Sequence, residues 1–249
     1  LAGFVNEHYG PDQMILSAAG AVDHDALVKQ AEALFGDMVP RSALSADPAR
    51  FHGGETRHTR DLEQAHLALA FEAPGYRDPE FYAAQIYSVA LGGGMSSRLF
   101  QEIREKRGLC YTIFAQNGAY ADTGMTTIYA GTSGAEMPEL ITLTVDEMKR
   151  SAEDMSSAEI ERARAQMKAG LLMGLESPSS RAERSARMVQ IWGEVPDIER
   201  TVAKIDAVTR EDVLRFAEGQ AAEAAAAMAL YGPVAEAPTL SELQARRAA

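Results

Sequence analysis

Two side chains, Arg104 and Tyr111, are the strongest candidates for chemistry in this chain, and they lie in the run R-E-K-R-G-L-C-Y. Arginine stays charged and presents a rigid fork of N–H donors, and an ordinary tyrosine hydroxyl is also a donor at neutral pH. Donors of this kind stabilise a developing oxyanion by about 3 kcal/mol each. The residue types alone favour a structural interpretation, because an arginine near a helix C-terminus complements the helix dipole and a tyrosine in a strand commonly packs.

The five histidines do not form a recognisable metal site. The nearest approach to a zinc motif is H-G-G-E-T-R-H at residues 52–58. The inverted zincin motif requires a histidine directly after the glutamate, on a helix. Thr56 occupies that position, and the glycine pair within the run disfavours a helix. We therefore interpret the run as linker, interpret His24 and His66 as surface or packing residues, and expect this chain to bind no zinc.

A glycine-rich stretch precedes the Arg104 segment. Gly92, Gly93 and Gly94 predict a loop that is free to adopt positive φ angles, and Ser96 or Ser97 is placed to cap a short helix after it. A phosphate-binding loop is the alternative, but no G-K-[ST] follows and G-x-G-x-x-G fails at Ser97. The residues themselves indicate a flexible turn.

The elements that must position the two candidates are a helix and a strand joined by a glycine turn. Gly108 is placed to end the helix in a left-handed conformation, just after Arg104. The strand then alternates, which predicts that Tyr111 shares a face with Ile113 and Ala115. Phe114, on the alternate positions, is interpreted as part of the core and sheet rather than of a site.

Strands dominate the first half of the chain and helices the second. Strands are predicted at residues 14–19, 66–73, from 109 onward, 125–132 and 226–231. Capping boxes at Ser156-x-x-Glu159 and Ser180-x-x-Glu183 begin two of the helices, and a polar tail ends the chain. This order predicts an α+β fold, a two-layer module of mainly antiparallel sheet with helices packed on one face, duplicated in the parent protein.

The chain is expected to divide into three parts. Residues 1–36 read as helix, strand and helix, and we interpret them as the tail of a first module. Residues 37–58 contain two prolines, serines and a glycine pair without sustained periodicity, which is typical of a linker. Residues 59–249 would then form a complete second module.

An internal repeat supports that division. Residues 1–22 and 213–234 align without a gap, with identities at Phe4, Gly20 and Val22. Both segments follow the order helix, breaker, strand and Gly-x-Val. The alternative is that any two helix–strand units look somewhat alike.

Composition narrows the class of protein. The 36 acidic residues outnumber the 24 Lys and Arg residues and give a net charge of −12, which argues against nucleic acid and anionic membrane as partners. No apolar run is long enough to cross a bilayer. The single cysteine, Cys110, excludes an internal disulfide and favours a reducing compartment.

The glycine-rich loop, the helix and the run R-E-K-R-G-L-C-Y together resemble the second homologous module of the pitrilysin-type zinc metallopeptidases, in particular bacterial relatives of the processing peptidases. The resemblance extends more weakly over the whole chain. It implies that Arg104 and Tyr111 hold the substrate carbonyl and stabilise the tetrahedral intermediate. It also implies that Gly92, Gly93, Gly94 and Ser96 lie near the peptide-binding cavity.

The family places its zinc motif, H-x-x-E-H, in the first module, so the resemblance implies zinc in the parent or a partner and an inactive chain here. The expected partners are an unfolded polypeptide substrate and either the first module or an active homologous subunit in a homo- or heterodimer. Two alternatives remain open: a catalytically inactive homologue that shapes the chamber of an active mate, and a non-enzymatic α+β binding or assembly module.

Overall fold

The computed structural model describes residues 1–40, 47–222 and 225–248. They form two compact units, the first made of Leu1–Pro48 and Ala169–Arg200 and the second of Ala49–Lys168 and Thr201–Ala249. The strands are β1 (Gly54–Thr59), β2 (Ala65–Ala73), β3 (Cys110–Ala119), β4 (Gly124–Thr132) and β5 (Ala226–Gly232). The helices are α1 (Ala2–His8), α2 (His24–Phe35), α3 (Phe81–Gly92), α4 (Met137–Asp154), α5 (Ser157–Gly174), α6 (Pro178–Trp192), α7 (Ile198–Ala207), α8 (Arg210–Ala222) and α9 (Leu240–Ala248). Within these described ranges, no helix has the length and apolar character needed to span a membrane.

The second unit is built on a five-stranded sheet in the order β1-β5-β2-β4-β3. β1 pairs with β5 in parallel, and the other neighbours pair antiparallel. The predicted α+β fold with a mainly antiparallel sheet is therefore confirmed. β1 lies partly within the segment that was predicted to be linker; the division of the chain into modules stays a prediction.

The sheet has a covered face and an open face. On the covered face, Leu67, Leu69 and Phe71 of β2 are each at most 1% exposed, as the alternation of that strand predicts. They belong to a single core to which α3, α4, α8 and α9 contribute. The alternate residues of the same strands, among them Phe114 and Ala229, are exposed on the other face, which we call the open face.

The end of the chain departs from the prediction of a polar tail. Residues 240–248 form α9, whose Leu240 and Leu243 are buried. Thr239 and Glu242 exchange hydrogen bonds at its start, so a capping box begins this helix too. Two apolar residues spaced three apart were enough to seat a short helix on the core.

The first unit contains a predicted strand that does not form. Met14 has extended dihedral angles, φ −114° and ψ 139°, yet residues 14–19 pair with no strand in the described part of the chain. Leu16 is 60% exposed there. The prediction was wrong because an extended apolar segment becomes a strand only when a neighbour satisfies its backbone hydrogen bonds.

The predicted repeat has a local structural counterpart. Gly20 and Gly232 adopt nearly the same positive φ, 109° and 108°. In each case the N–H of the valine two residues later donates to the glycine carbonyl over 2.9 Å, at Val22 and at Val234. A positive φ of this kind favours glycine, so the identity at the two glycines has a physical cause.

The two predicted capping boxes have different outcomes. Ser156 and Glu159 exchange hydrogen bonds at the start of α5, which confirms the first. The second is wrong, because α6 begins at Pro178 and the Ser177 side chain caps it by accepting from the Ser180 N–H. Proline is well suited to the first helical position, which explains why the helix begins at Pro178 and its cap lies three residues before the predicted one.

Candidate functional site

The segment that carries Arg104 is a π-helix rather than the ordinary helix that the pattern predicts. It spans Phe100–Glu105, and the Lys106 N–H donates to the Gln101 carbonyl over 3.0 Å, the i to i+5 pattern. Leu99 and Ile103 are fully buried and fix the segment against the core. π-Helical turns are rare overall, and those that do occur are often found at functional sites.

The segment ends as predicted at Gly108, in the left-handed conformation with φ 66°. The Gly108 N–H donates to the Arg104 carbonyl over 2.9 Å, and the Leu109 N–H donates to the Ile103 carbonyl over 3.1 Å. These bonds satisfy carbonyl groups that a helix end otherwise leaves without partners. The backbone of Arg104 is therefore held firmly at the point where the chain turns into β3.

The Arg104 guanidinium is held by aromatic rings. Its central carbon lies 4.5 Å from the centroid of the Phe100 ring and 5.3 Å from that of Tyr111. Within the described residues, no hydrogen bond or ion pair engages this guanidinium. The ring contacts are cation–π interactions, which leave the N–H donors available to a ligand.

The neighbouring cations are neutralised by contrast. Glu102 forms ion pairs with Lys106 and with Arg107, the latter at 3.2 Å. The side-chain hydrogen bond from Lys106 lowers the pKa of Glu102, which therefore stays ionised at neutral pH. Of the basic residues in R-E-K-R, only Arg104 is left without a carboxylate among the described side chains.

Tyr111 is exposed because the strand is irregular where it begins. The pairing of β3 with β4 shifts register between Cys110 and Thr112, which leaves Tyr111 as the extra residue of a β-bulge. Tyr111 is 79% exposed, whereas Ile113 is 5% exposed. The prediction that Tyr111 shares a face with Ile113 was wrong, because the bulge breaks the alternation and re-aims the side chain.

The predicted positive φ angles do not occur at Gly92, Gly93 or Gly94. Gly92 is buried at the end of α3, and a Cβ there would lie 2.7 Å from the Ala115 Cβ and closer to the Ala115 backbone nitrogen. Glycine is needed at this position for close approach of α3 to β3.

The stretch is also tied down by hydrogen bonds. The Gly93 carbonyl accepts from Gln166 Nε2 over 2.7 Å, the Gly94 carbonyl accepts from Ser97 Oγ over 2.6 Å, and the Met95 carbonyl accepts from Gln101 Nε2 over 2.6 Å. Ser96 is exposed. In the described part of the chain, no hydrogen bond or ring contact joins Ser96 to Arg104 or Tyr111, and a substrate-binding role for the stretch stays a prediction.

A zinc ion does not fit the described residues. Among them, no group of three or more His, Cys, Asp and Glu side chains is arranged to hold a metal. Residues 54–59 form β1, so the histidine-containing run is not on a helix. The His66 ring instead lies against Tyr129, with Nδ1 2.8 Å from the hydroxyl oxygen.

A groove of about 360 Å³ lies at the other end of β3 from Tyr111. It is lined by the end of β2, the turn between β3 and β4, and α8, with Glu72, Asp78 and Asp122 among its acidic residues. It contains none of the residues that the motif singled out.

Sequence reasoning did not single out Phe100 as a residue that supports Arg104. The available signal was its spacing, because residues four apart on a helix are neighbours and an aromatic ring can support an arginine there. Phe114 was also misplaced, since it is 36% exposed on the open face rather than part of the core.

The described elements together form an α+β module with a mainly antiparallel sheet. The sequence model of the family described as "Peptidase M16 inactive domain" matches residues 1–167. The chain belongs to this family, the M16 or pitrilysin-type peptidases.

Three relatives carry the name "uncharacterized zinc protease". One from Rickettsia bellii is 36% identical over 92% of this chain and 56% of its own length. One from Mycobacterium tuberculosis is 36% identical over 86% of this chain and 50% of its own length. One from Bacillus subtilis is 32% identical over 86% of this chain and 52% of its own length. The chain thus spans about half the length of the curated relatives it matches.

A solved structure, complex III2 from Candida albicans with Inz-5 bound, contains a chain of the same fold. The TM-score is 0.80 at 21% identity, over 91% of this chain and 56% of that chain. At this identity the likeness concerns the fold alone.

Proposed function

We propose that this chain is the carbonyl-binding part of a zinc metalloendopeptidase that hydrolyses peptide bonds in unfolded polypeptides. The observation that carries the proposal is the Arg104 guanidinium, which contacts the Phe100 and Tyr111 rings and has no protein partner for its donors among the described residues. A π-turn and a β-bulge present Arg104 and Tyr111, so both backbone irregularities coincide with the two candidate donors.

The chemistry follows from the two donors. The Tyr111 hydroxyl and the Arg104 N–H groups would donate to the carbonyl oxygen of the scissile bond. Their hydrogen bonds would strengthen as that oxygen becomes an anion in the tetrahedral intermediate. Because the donors are held before substrate arrives, little reorganisation is needed during the reaction.

The zinc ligands and the general base would come from outside these residues, either from a first module of the same protein or from an active homologous subunit. The names of the relatives support zinc in the parent. The described residues of this chain offer no metal site of their own. By itself the chain is expected to be inactive.

The test is the substitution Tyr111→Phe in the full-length protein, with zinc content measured alongside peptide hydrolysis. We expect turnover to fall about 10²- to 10³-fold, the usual cost of removing one oxyanion donor. The melting temperature should be unchanged, because the Tyr111 side chain is 79% exposed. Tyr120→Phe is the matched control, since Tyr120 is also exposed and lies near the turn after β3.

Unchanged turnover in Tyr111→Phe would reject the proposal and favour a structural role for both residues. A full-length protein without zinc or activity would point to the second candidate, an inactive homologue that needs an active mate. The description of the matching family domain as inactive concerns this part of the protein alone and fits either candidate, so zinc content and turnover of the full-length protein distinguish the two.

A further inference from the structure

The open face of the sheet has an unusual composition for a surface. Counted from the end near Tyr111, its first three cross-strand rows contain no Asp, Glu, Lys or Arg, although 24% of the chain is charged. The acidic Glu72 first occurs in the fourth row. Solvent-facing sheet surfaces are normally polar, and an uncharged one that holds aromatic residues marks a binding surface.

Three side chains on this face form an aromatic cluster, defined as Phe114, Tyr129 and His66. The Phe114 and Tyr129 rings are cross-strand neighbours with centroids 5.3 Å apart. The Tyr129 hydroxyl lies 2.8 Å from His66 Nδ1, and this hydrogen bond holds the ring in place. The polar end of the cluster is thus satisfied internally, and the ring of Phe114, 36% exposed, is left to contact a ligand.

Smaller residues border the cluster and shape the surface. In the same row as Phe114 and Tyr129, β2 carries Ala68 and β5 carries Ala229. The exposed Tyr231 on β5 lies directly opposite His66 in the next row. The small side chains of Ala68 and Ala229 leave the edge of the cluster uncovered by bulky neighbours in their own row.

The cluster is also continuous with the proposed carbonyl-binding site. Phe114 follows Tyr111 by three residues on β3. At about 3.3 Å per residue, the two lie roughly 10 Å apart along the strand. An extended peptide whose carbonyl is held at Tyr111 would therefore place a side chain within about three residues of that carbonyl over the cluster.

We infer that the aromatic cluster is a subsite for an aromatic or large apolar side chain of an extended, uncharged peptide segment. This inference rests on the proposed function and adds a substrate class to it. Ring-on-ring contact with Phe114 would provide the affinity, and the absence of charged partners would disfavour acidic or basic side chains, which would lose hydration without compensation.

The test measures peptide binding separately from hydrolysis in the full-length protein. Fluorescein-labelled ten-residue peptides that differ at one central position, Phe, Ala or Asp, are titrated by fluorescence anisotropy with EDTA present to prevent turnover. We expect the Phe peptide to bind about tenfold more tightly than the Asp peptide. Phe114→Ala should remove most of that preference, and Phe114→Tyr, which keeps the ring, should retain it.

Two comparisons make the result decisive. Tyr120→Ala removes an exposed aromatic residue outside the cluster and should leave the preference intact. Tyr111→Phe removes only a hydroxyl outside the cluster and should also leave the binding preference intact. If the full-length protein binds the Phe peptide selectively and Tyr111→Phe does not reduce its turnover, the proposed function is refuted and the subsite is not.

Equal affinities for the three peptides, or a preference that survives Phe114→Ala, would overturn the inference. Concentration-dependent dimerisation that Phe114→Ala abolishes, with no peptide preference, would also overturn it by assigning the open face to a second copy of the chain.

Discussion

The covered and open faces of the sheet use the same strands for different purposes. On β2, Leu67 and Leu69 alternate with His66 and Ala68, and only the first pair lies in the core. On β3 the bulge at Tyr111 separates the buried Cys110 from the exposed Thr112 and starts the alternation anew. The covered face should therefore govern stability, and the open face and its Tyr111 end should govern binding.

The largest expected contrast is between Leu69→Ala and Phe114→Ala. Leu69 is 1% exposed in the core, and its truncation should reduce the free energy of unfolding by about 3 kcal/mol through lost burial and a cavity. Phe114→Ala on the opposite face should cost about 1 kcal/mol, because only its contact with Tyr129 and partial burial are lost. Urea unfolding of both variants gives the comparison. Similar losses would mean that the open face is part of the stabilising core.

A second contrast concerns two glycines of the second unit. Gly92→Ala should reduce the free energy of unfolding by about 2 kcal/mol, because the new Cβ at the end of α3 would meet the Ala115 backbone of β3. Gly219→Ala is the matched control in α8, where a Cβ meets no atom within 4 Å, and it should stabilise by roughly 0.5–1 kcal/mol. If Gly92→Ala did not lower the urea midpoint, while Gly219→Ala raised it as expected, α3 would not be held closely against β3.

A third contrast, between two substitutions of Phe100, tests how the Arg104 guanidinium is positioned. Phe100→Leu keeps an apolar side chain but removes the ring under the guanidinium, and Phe100→Tyr keeps the ring. We expect kcat/KM of the full-length protein to fall about fivefold in Phe100→Leu, equivalent to the loss of a cation–π contact of about 1 kcal/mol, and to change little in Phe100→Tyr. A fall in both variants would mean that packing, and not the ring face, positions the arginine.

The same contrast shows what could be predicted from the sequence. Regular features were accessible: the alternation of β2, the left-handed Gly108 and the capping box at Ser156 depend on local preferences. The two irregular features that present the site, the π-turn and the bulge, were not accessible, because a single inserted residue changes a side chain's direction without changing composition.

The sequence also does not show which segments become neighbours in the folded chain. Residues 14–19 and β5 have similar patterns, yet only β5 lies between two strands, β1 and β2. Likewise, Gly92 looked like a flexible loop residue because its close neighbour, Ala115, is distant in sequence. Sequence pattern specifies which conformation a segment favours, and tertiary contacts decide whether it becomes part of the fold.

The smallest expected effect is on a partly exposed carboxylate of α8. Asp212 lies in the first turn of α8, and hydrogen bonds from the Thr209 N–H at 2.9 Å and the Thr209 hydroxyl at 2.7 Å, with one from Arg215, lower its pKa to about 2. Because the folded pKa is below the ordinary value of 3.8, the stabilisation is present above about pH 4 and is lost as the pH falls toward 2. At neutral pH, Asp212→Asn should cost at most about 0.5 kcal/mol, since solvent screens a group this exposed.

The measurement is the difference in urea midpoint between wild type and Asp212→Asn from pH 7 to pH 2.5. We expect the difference to shrink below pH 4. At neutral pH it should be smaller in a Thr209→Ala background, because that substitution removes the hydroxyl donor to Asp212 while the N–H of residue 209 still donates. A difference that is independent of pH would assign the effect to the amide's geometry rather than to the charge. A loss of unfolding free energy as large as that of Leu69→Ala would instead place Asp212 among the residues that stabilise the core. The expected difference between core and surface positions would then be refuted at this residue.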